Sequence, residues 1–441
     1  MGRGTPESRQ SLPAQRAGNR SAPRRALVAA AVGNVVEWYD LAVFGAFASV
    51  IAGTFFPGTD RTASLLAAFA VYSGAFVFRP VGAILFGRSG DRRGRRDVLT
   101  TVIVMMSLAT AGIGVVPGYA AIGLLAPVLL VLCRSVQGLS VGGEAGGASA
   151  FVVEYASAGR RGLYGAWLWA TVALGLGAGI GMAALLARLL PPGLVEAWGW
   201  RLAFLIALPL GLIGLYMRLR LDETAPFRAA RDAGAIVRHP VRETVRAFPG
   251  RVAIGFGLVA AASVTFNTFI VFLPNHLAST LGVPLEMALG AALLGLLTTA
   301  IVSPALGSLS DRVGRKPLLV AGSLGLLILI MPAYLLIQGG RPVSMALAYV
   351  LIGMALSCFV LPTFLSELFP TPVRATALAI TYGLPTALAG GTAPFLATLL
   401  VLRTGNPVLP AWYAIAVTLV AAACALRVRE TAFRPLDVDA G

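Results

Sequence analysis

Long apolar segments separated by short polar stretches recur along almost the whole chain. Each segment is long enough to cross a hydrocarbon core of about 30 Å as a helix. The pattern therefore predicts an all-α integral membrane protein with twelve transmembrane helices, called spans 1 to 12. Their predicted ranges are about 26–53, 62–86, 97–116, 121–152, 162–187, 199–219, 251–274, 287–308, 317–338, 342–366, 374–402 and 409–428.

The longest polar stretch between spans divides the chain into two similar halves. Residues 220–250 form this predicted cytosolic loop, with six-helix bundles at 26–219 and 251–428 on either side. Residues 1–25 and 429–441 are the remaining polar ends, which we interpret as cytosolic tails. Repeated halves in a membrane protein commonly enclose a transport path between them.

The distribution of positive charge predicts the orientation. Of the 35 Lys and Arg residues, the odd-numbered loops hold only Arg61, Arg188, Arg201, Arg341 and Arg403. Because Lys and Arg collect on the cytosolic side, both termini are predicted to lie there, in a multi-pass protein of the cell membrane.

Composition excludes several classes of function. Only 12% of residues are charged, and the net charge of +16 is spread over short loops, which argues against a nucleic-acid partner. The three cysteines and two histidines form no metal-binding spacing, and the sole lysine, Lys316, precedes Pro317, so no phosphate-binding loop is present. We expect no cofactor, no metal and no enzymatic activity. The expected partners are the lipid bilayer, a small solute and protons, for a monomer driven by a gradient.

A short cationic turn occurs twice at equivalent positions of the two halves, with the pattern G-x3-D-R-x-G-R-[R/K]. Its residues are Gly87, Asp91, Arg92, Gly94 and Arg95 in the first copy and Gly307, Asp311, Arg312, Gly314 and Arg315 in the second. A second repeat, E-x6-R, joins Glu154 to Arg161 and Glu367 to Arg374. The carboxylates can bind an Arg or the N-terminus of a neighbouring helix, so we interpret both repeats as gate latches; ordinary surface ion pairs are the alternative.

Ionisable residues also lie inside the spans, where each is costly and marks a functional hypothesis. They are Glu37 and Asp40 in span 1, Arg79 in span 2, and Arg134 and Glu144 in span 4. Glu37 and Asp40 are three residues apart and so share a helix face. Arg suits recognition of a carboxylate, and a buried carboxylate can carry a proton. The alternative is a structural ion-pair network that holds the first bundle together.

The repeated turn resembles the loop between the second and third helices of the major facilitator superfamily, and its repeat between the eighth and ninth. Several further runs resemble the metabolite:proton symporter branch of that superfamily, which is sugar-transporter-like in fold. These runs are G-N-x-x-E-W-Y-D at 33–40, F-R-P-x-G at 78–82, R-x2-Q-G-x4-G-E at 134–144, W-G-W-R at 198–201, E-L-F-P-x3-R-A at 367–375 and G-G-T-A-P at 390–394. The resemblance implies two pseudo-symmetric bundles that expose a central cavity alternately to either side.

What the resemblance implies for the site is proton-coupled uptake of a small organic carboxylate, such as 2-oxoglutarate, citrate, another dicarboxylate or a shikimate-like acid. Asp40 is the first choice for proton carrier and Glu37 the second. Arg134 and Arg79 are the expected anion-binding or charge-balancing groups. Other candidate lining residues are Tyr72, Gln137, Asn267 and Tyr382. Phe44 departs from a Tyr that is common in the branch and removes a hydroxyl.

A proline/betaine osmolyte:proton symporter shares these motifs and is the alternative. Osmotically responsive members of the branch typically add a C-terminal coiled coil, whereas Val428 to Gly441 contain Pro435 and no heptad stripe. That difference favours the acid carrier. A drug/proton antiporter is less favoured, because span 5 lacks a Gly-Pro pair. A membrane sensor or enzyme would need soluble mass or a catalytic cluster that the sequence does not show.

Overall fold

The described part of the chain is built from helices. A computed structural model describes residues 21–93, 95–156, 159–219, 240–370 and 373–434. The helices of the first half are Ser21–Ala46 and Ala48–Phe55 (span 1), Arg61–Arg93 (span 2), Arg95–Val115 (span 3), Tyr119–Ile122, Leu125–Tyr155 (span 4), Arg161–Leu189 (span 5), Pro192–Leu194, and Val195–Gly199, Trp200–Leu205 and Ala207–Leu219 (span 6).

The second half repeats this arrangement after an additional short helix, Pro240–Ala247. Its spans are Pro249–Phe266, Asn267–Phe272 and Leu273–Thr280 (span 7), Leu285–Val313 (span 8), Arg315–Gln338 (span 9), Pro342–Ser357 and Leu361–Leu368 (span 10), Arg374–Leu378, Ala379–Gly383, Thr386–Gly391 and Ala393–Thr404 (span 11), and Leu409–Arg427 (span 12). The helix Pro240–Ala247 falls within the predicted polar loop 220–250, of which residues 220–239 lie outside the described ranges.

The predicted membrane architecture is confirmed. Ten helical segments of the described chain are long and apolar enough to cross a bilayer, and an eleventh is the bent pair Ala31–Ala46 and Ala48–Phe55. The shorter apolar helix Thr100–Val115 lies at the position of span 3. The protein is therefore an all-α, multi-pass membrane protein with two six-span halves.

Span 1 bends by 67° beside Phe47. A bend of this size frees backbone groups that a straight helix would bond internally, and in a membrane such groups need other partners. The Asn275 side chain of span 7 donates to the Gly45 carbonyl, at 3.2 Å. A polar group of the second half thus satisfies a backbone group of the first.

Spans 7 and 11 contain π-helical turns, at Asn267–Phe272, Ala379–Gly383 and Thr386–Gly391. Such turns widen a helix locally and occur often at functional sites. Both spans face the first half at these depths, because Asn267 and Gly391 accept hydrogen bonds from span 2. The second half is therefore irregular where it meets the first.

The two halves touch at both ends of the spans. At the end that carries the second cationic turn, here called the motif end, Asp311 of span 8 accepts hydrogen bonds from the first backbone N–H groups of span 5. Towards the other end, Asn275 binds Gly45. The described residues therefore join the two halves by hydrogen bonds towards both ends of the spans.

Spans 2 and 4 cross at two glycines. A Cβ on Gly138 would overlap the Ala75 carbonyl oxygen, and a Cβ on Gly82 would overlap the Leu139 carbonyl oxygen. Small residues allow this close backbone approach, which drives helix association in lipid. The crossing also fixes Arg79 and Arg134, since each lies within one turn of one of these glycines.

We expect Gly138→Ala to lower thermal stability, because the added methyl group meets backbone that cannot move aside. The free energy of unfolding should fall by about 1–3 kcal/mol, the usual range for overpacking. The measurement is the melting temperature of the purified protein in detergent. Gly74→Ala is the matched control, since a Cβ at Gly74 has no neighbour within 4 Å. Equal melting temperatures for the two variants would contradict the crossing argument.

Candidate functional site

A buried hydrogen-bonded ion pair lies inside the first half. Arg134 Nη1 is 2.8 Å from Asp40 Oδ2, and both side chains are almost fully buried. Gln137, one turn along span 4, accepts from the same Nη1 at 2.7 Å and donates through Nε2 to Asp40 Oδ1 at 2.7 Å. The same Nε2 lies 2.7 Å from the Thr110 hydroxyl of span 3. Spans 1, 3 and 4 thus converge on one carboxylate.

The guanidinium of Arg134 has a second, unused edge. Its Cζ lies 3.7 Å from the centroid of the Phe44 ring, so the group stacks on an aromatic face. Nε and Nη2 are buried and have no hydrogen-bond partner among the described residues. An unsatisfied buried donor is costly, so this edge is suited to an acceptor from outside the protein.

A second ion pair lies beside the first and is looser. Arg79 Nη2 is 3.7 Å from Glu37 Oε1, beyond hydrogen-bond distance, and both side chains are buried. The Arg79 guanidinium stacks on Phe76, with Cζ 4.1 Å from the ring centroid. Tyr72 lies between the two pairs, since its ring centroid is 6.0 Å from that of Phe44 and 5.4 Å from that of Phe76.

The second half closes over this cluster with polar and glycine contacts. The Tyr72 hydroxyl donates to Asn267 Oδ1 of span 7 at 3.3 Å. The neighbouring Ser73 donates to the Gly391 carbonyl of span 11 at 2.6 Å. Tyr382, also in span 11, is close enough to interact electrostatically with Glu37 and Arg79. The predicted lining residues Tyr72, Asn267 and Tyr382 therefore meet around the ion pairs.

The motif end holds a cluster of its own, centred on Asp311. Its two carboxylate oxygens accept from the backbone N–H groups of Gly162 and Leu163, at 2.8 and 3.0 Å. The positive end of the span 5 helix dipole favours a carboxylate at this position. Arg315 Nη2 lies 2.9 Å from the same carboxylate. The geometry contains both contacts expected of a latch carboxylate.

Arg315 also holds Glu367 of the E-x6-R repeat. Its Nε and Nη2 bind the two oxygens of Glu367 at 3.1 and 3.0 Å. Such a two-pronged contact is among the strongest that an Arg forms. Gly314, which precedes Arg315, has φ +102°, a conformation that requires glycine. The second cationic turn therefore positions a buried guanidinium between Asp311 and Glu367.

The segment after span 12 completes the motif-end cluster. Glu430 accepts from the backbone N–H groups of Arg315 and Lys316, at 2.8 and 3.1 Å. Burial raises the pKa of Glu430, but these and two further backbone donors outweigh it, so the pKa lies below the ordinary value. The Thr431 hydroxyl donates to Glu367 at 2.8 Å. This segment is bonded into the helix ends that a gate would need to separate.

Other predicted latch residues make further contacts, and Arg374 among them is almost fully buried. Arg161 donates to the Arg434 carbonyl at 2.9 Å, and Arg374 donates through Nε to the Phe369 carbonyl at 3.2 Å. Gly307 packs against Ala166 and Gly162 of span 5, whereas Arg312 is exposed. The predictions on Gly87, Asp91, Arg92, Gly94, Arg95, Glu144 and Glu154 fall outside the residues or side chains that the structure describes.

Several residues of these clusters were not singled out from the sequence. Thr110 is one of several hydroxyl residues in span 3, and nothing in the sequence distinguishes it from the others. Phe44 entered only as a missing hydroxyl, although its ring face supports Arg134. Glu430 and Thr431 were assigned to a polar tail. The available signal was weak in each case, because contacts between distant spans leave no fixed spacing in the sequence.

The chain belongs to the Major Facilitator Superfamily, whose family model matches residues 30–382 and 255–438. Its fold is also similar to that of the proton:xylose symporter XylE bound to 6-bromo-6-deoxy-D-glucose. That comparison has a TM-score of 0.78 and 20% identity, and it covers 95% of this chain and 98% of the other. The protein is thus a transporter of a small molecule, and not an enzyme.

Curated relatives match nearly the full chain. The glycine betaine/proline/ectoine/pipecolic acid transporter OusA of Dickeya dadantii is 37% identical over 94% of this chain and 84% of its own length. The proline/betaine transporter of Escherichia coli is 36% identical, covering 94% and 85%. The ectoine/proline transporter ProP of Corynebacterium glutamicum is 33% identical, covering 94% and 85%.

These relatives overturn the expectation of a dicarboxylate-type substrate. Their names specify proline, betaine, ectoine and pipecolic acid. The geometry supplies the physical reason. Arg79 and Arg134 are each neutralised by a carboxylate of span 1, so the pair does not offer the two free cations that a dicarboxylate needs. The argument from the missing C-terminal heptads was also wrong.

We expect Asp311→Asn to open the motif end. An amide is a weaker acceptor for the two backbone N–H groups and forms no ion pair with Arg315. The reporter is a cysteine at Thr363, a buried residue that donates to the Arg161 carbonyl across the seam, with Cys133, Cys358 and Cys424 replaced by Ser.

Labelling of the reporter by a polar thiol reagent should be faster in Asp311→Asn. The control is Glu286→Gln, an exposed change at the opposite end of the same span. An unchanged labelling rate with a reduced yield would show that Asp311 serves folding alone.

Proposed function

We propose that this chain is a proton-coupled symporter of the bacterial cell membrane that takes up a small zwitterion of the proline and betaine class. The substrate carboxylate binds Arg134 while Asp40 takes a proton. The two halves alternate in exposing this site to either side of the membrane. The names of the curated relatives support the substrate class, and the buried ion pairs support the coupling.

One observation carries the proposal: the unused Nε/Nη2 edge of the buried Arg134. This edge presents two parallel N–H donors and so matches a carboxylate. Arg315 of the same chain uses the same two atoms to bind Glu367 at 3.1 and 3.0 Å. Arg134 is thus prepared for the carboxylate of a substrate.

Charge balance favours a zwitterion with a proton over a multiply charged acid. The two pairs, Arg134–Asp40 and Arg79–Glu37, sum to zero. A substrate carboxylate that shares Arg134 adds one negative charge next to Asp40, and a proton on Asp40 removes it. The cationic group of the substrate can then lie near the aromatic rings of Phe44 and Tyr72, which favour methylated ammonium groups.

Proton coupling follows from the same exchange. Asp40 is the leading carrier, because its carboxylate contacts both Arg134 and Gln137 and therefore lies next to the proposed position of the substrate carboxylate. Glu37, with its looser partner, is the second choice. Since the zwitterion is neutral, each proton carries net positive charge inward, and the membrane potential drives uptake.

The remaining assignments follow the predicted topology. Residues 26–219 and 251–428 form the two moving bundles, and both termini lie in the cytosol. The motif end is then the cytosolic gate, held by Asp311, Arg315 and Glu367 across spans 5, 8, 9 and 10. Gln137, Tyr72, Asn267 and Tyr382 line the site between the gates.

The uptake assay tests the function directly. Proteoliposomes with an inward proton gradient should accumulate radiolabelled proline or glycine betaine, and a protonophore should abolish the accumulation. 2-Oxoglutarate and citrate serve as the comparison substrates under the same gradient. Accumulation that survives the protonophore would contradict proton coupling. Vesicles that take up neither proline, betaine nor ectoine would contradict the substrate class.

Arg134→Lys should impair binding although the charge is retained. The lysine loses the two-pronged edge, and two hydrogen bonds to a charged group are worth about 1.5–3 kcal/mol each. We expect the dissociation constant for proline or betaine to rise by about tenfold or more. Arg403→Lys, an exposed change at the end of span 11, is the matched control. Unchanged affinity in Arg134→Lys would exclude recognition through the fork.

A further inference from the structure

The G-G-T-A-P run of span 11 has no role in the exchange at Arg134, yet its Gly391 makes a close contact with the first half near the site. A Cβ on Gly391 would overlap the ring of Phe76 in span 2. The carbonyl of the same glycine accepts the Ser73 hydroxyl at 2.6 Å. The ring therefore lies directly on the backbone of the opposite half, where only glycine leaves room.

The same Phe76 ring also contacts the second ion pair. The Arg79 guanidinium lies 4.1 Å from the centroid of the same Phe76 ring and pairs with Glu37. Phe76 is almost fully buried, so a displacement of the guanidinium cannot be absorbed by solvent-filled space around the ring. A continuous packed path thus runs from Glu37 through Arg79 and Phe76 to Gly391.

The neighbouring glycine has a different environment. A Cβ on Gly390 would meet Ser263 and the Asn267 side chain of span 7, which belong to its own half. Asn267 accepts from Tyr72 at 3.3 Å. Gly390 therefore packs span 11 against span 7. Gly391 is the glycine of this pair that contacts span 2.

We propose that Gly391 is the positioning residue that couples the Arg79–Glu37 pair to closure of the two halves. While the pair holds the Phe76 side chain in this position, span 11 can approach until Ser73 bonds the Gly391 carbonyl. When the guanidinium moves, the Phe76 side chain shifts against the backbone at Gly391 and separates the spans. The part of this proposal that is measured by uptake rests on the proposed function. The part that is measured by cysteine labelling rests on the geometry alone.

The test compares Gly391→Ala with Gly383→Ala, since a Cβ at Gly383, on the same span, has no neighbour within 4 Å. Gly391→Ala should lower the maximal rate of proline uptake by about tenfold or more while its dissociation constant changes little, the signature of a lost conformational step. It should also speed labelling of a cysteine at Thr363. Gly383→Ala should match the wild type in all three measurements.

Two further variants separate coupling from simple misfolding. Gly391→Ala combined with Phe76→Leu should regain closure, because the smaller, flexible side chain makes room for the methyl group. Arg79→Lys keeps the charge but loses the planar stacking on Phe76. It should speed labelling of the cysteine at Thr363, although no residue of span 11 is changed.

The outcomes distinguish this coupling from the function on which it rests. If wild-type vesicles transport no zwitterion, the proposed function fails, and the labelling of Thr363→Cys still decides the coupling. Wild-type labelling rates in Gly391→Ala, or the lack of any rescue by Phe76→Leu, would overturn it.

Discussion

The structure depends on burying two guanidinium groups in the first half without leaving either charge unbalanced. An isolated ion in a low-dielectric interior costs several kcal/mol or more, and an ion pair recovers that cost only when its geometry is good. Asp40 balances the charge of Arg134 in a hydrogen-bonded pair, and Gln137 bonds both Asp40 and Thr110. Glu37 balances the charge of Arg79 in a looser pair, with 3.7 Å between Nη2 and Oε1. Because buried pairs of this kind add little stability, their presence is better explained by what they bind and release.

Pairing is also the reason why we propose a zwitterion as the substrate of these residue types. Two unpaired guanidinium groups would form a strongly cationic site suited to a dicarboxylate. With span 1 neutralising both, the two pairs carry no net charge, and Arg134 offers two adjacent donors, Nε and Nη2, that have no partner among the described residues. The difference lies in how far apart four side chains are, and not in which side chains are present.

The dependence of the site on pairing between different spans limits what could be predicted from the sequence. Span positions follow from apolar segment length, and the shared face of Glu37 and Asp40 follows from their three-residue spacing. The pairing of Asp40 with Arg134 joins residues that are 94 positions apart, so no local pattern encodes it. The contact of Glu430 with the start of span 9 likewise joins positions 115 apart. The substrate class was predicted wrongly because it depends on such pairings, and because the length of chain after span 12 is unrelated to the chemistry between the spans.

The two halves contribute in different ways. In the described part of the chain, the carboxylates and guanidiniums buried at the centre belong to spans 1, 2 and 4, all in the first half. Spans 7 and 11 of the second half present amide, hydroxyl and glycine groups on π-helical turns. A rigid arrangement of charges holds ligand geometry constant, whereas π-helical turns are local irregularities that occur often at functional sites. The proposed mechanism thus assigns chemical recognition to the first half and adjustable packing to the second. Their seam, at Tyr72–Asn267 and Phe76–Gly391, is where binding can be converted into movement.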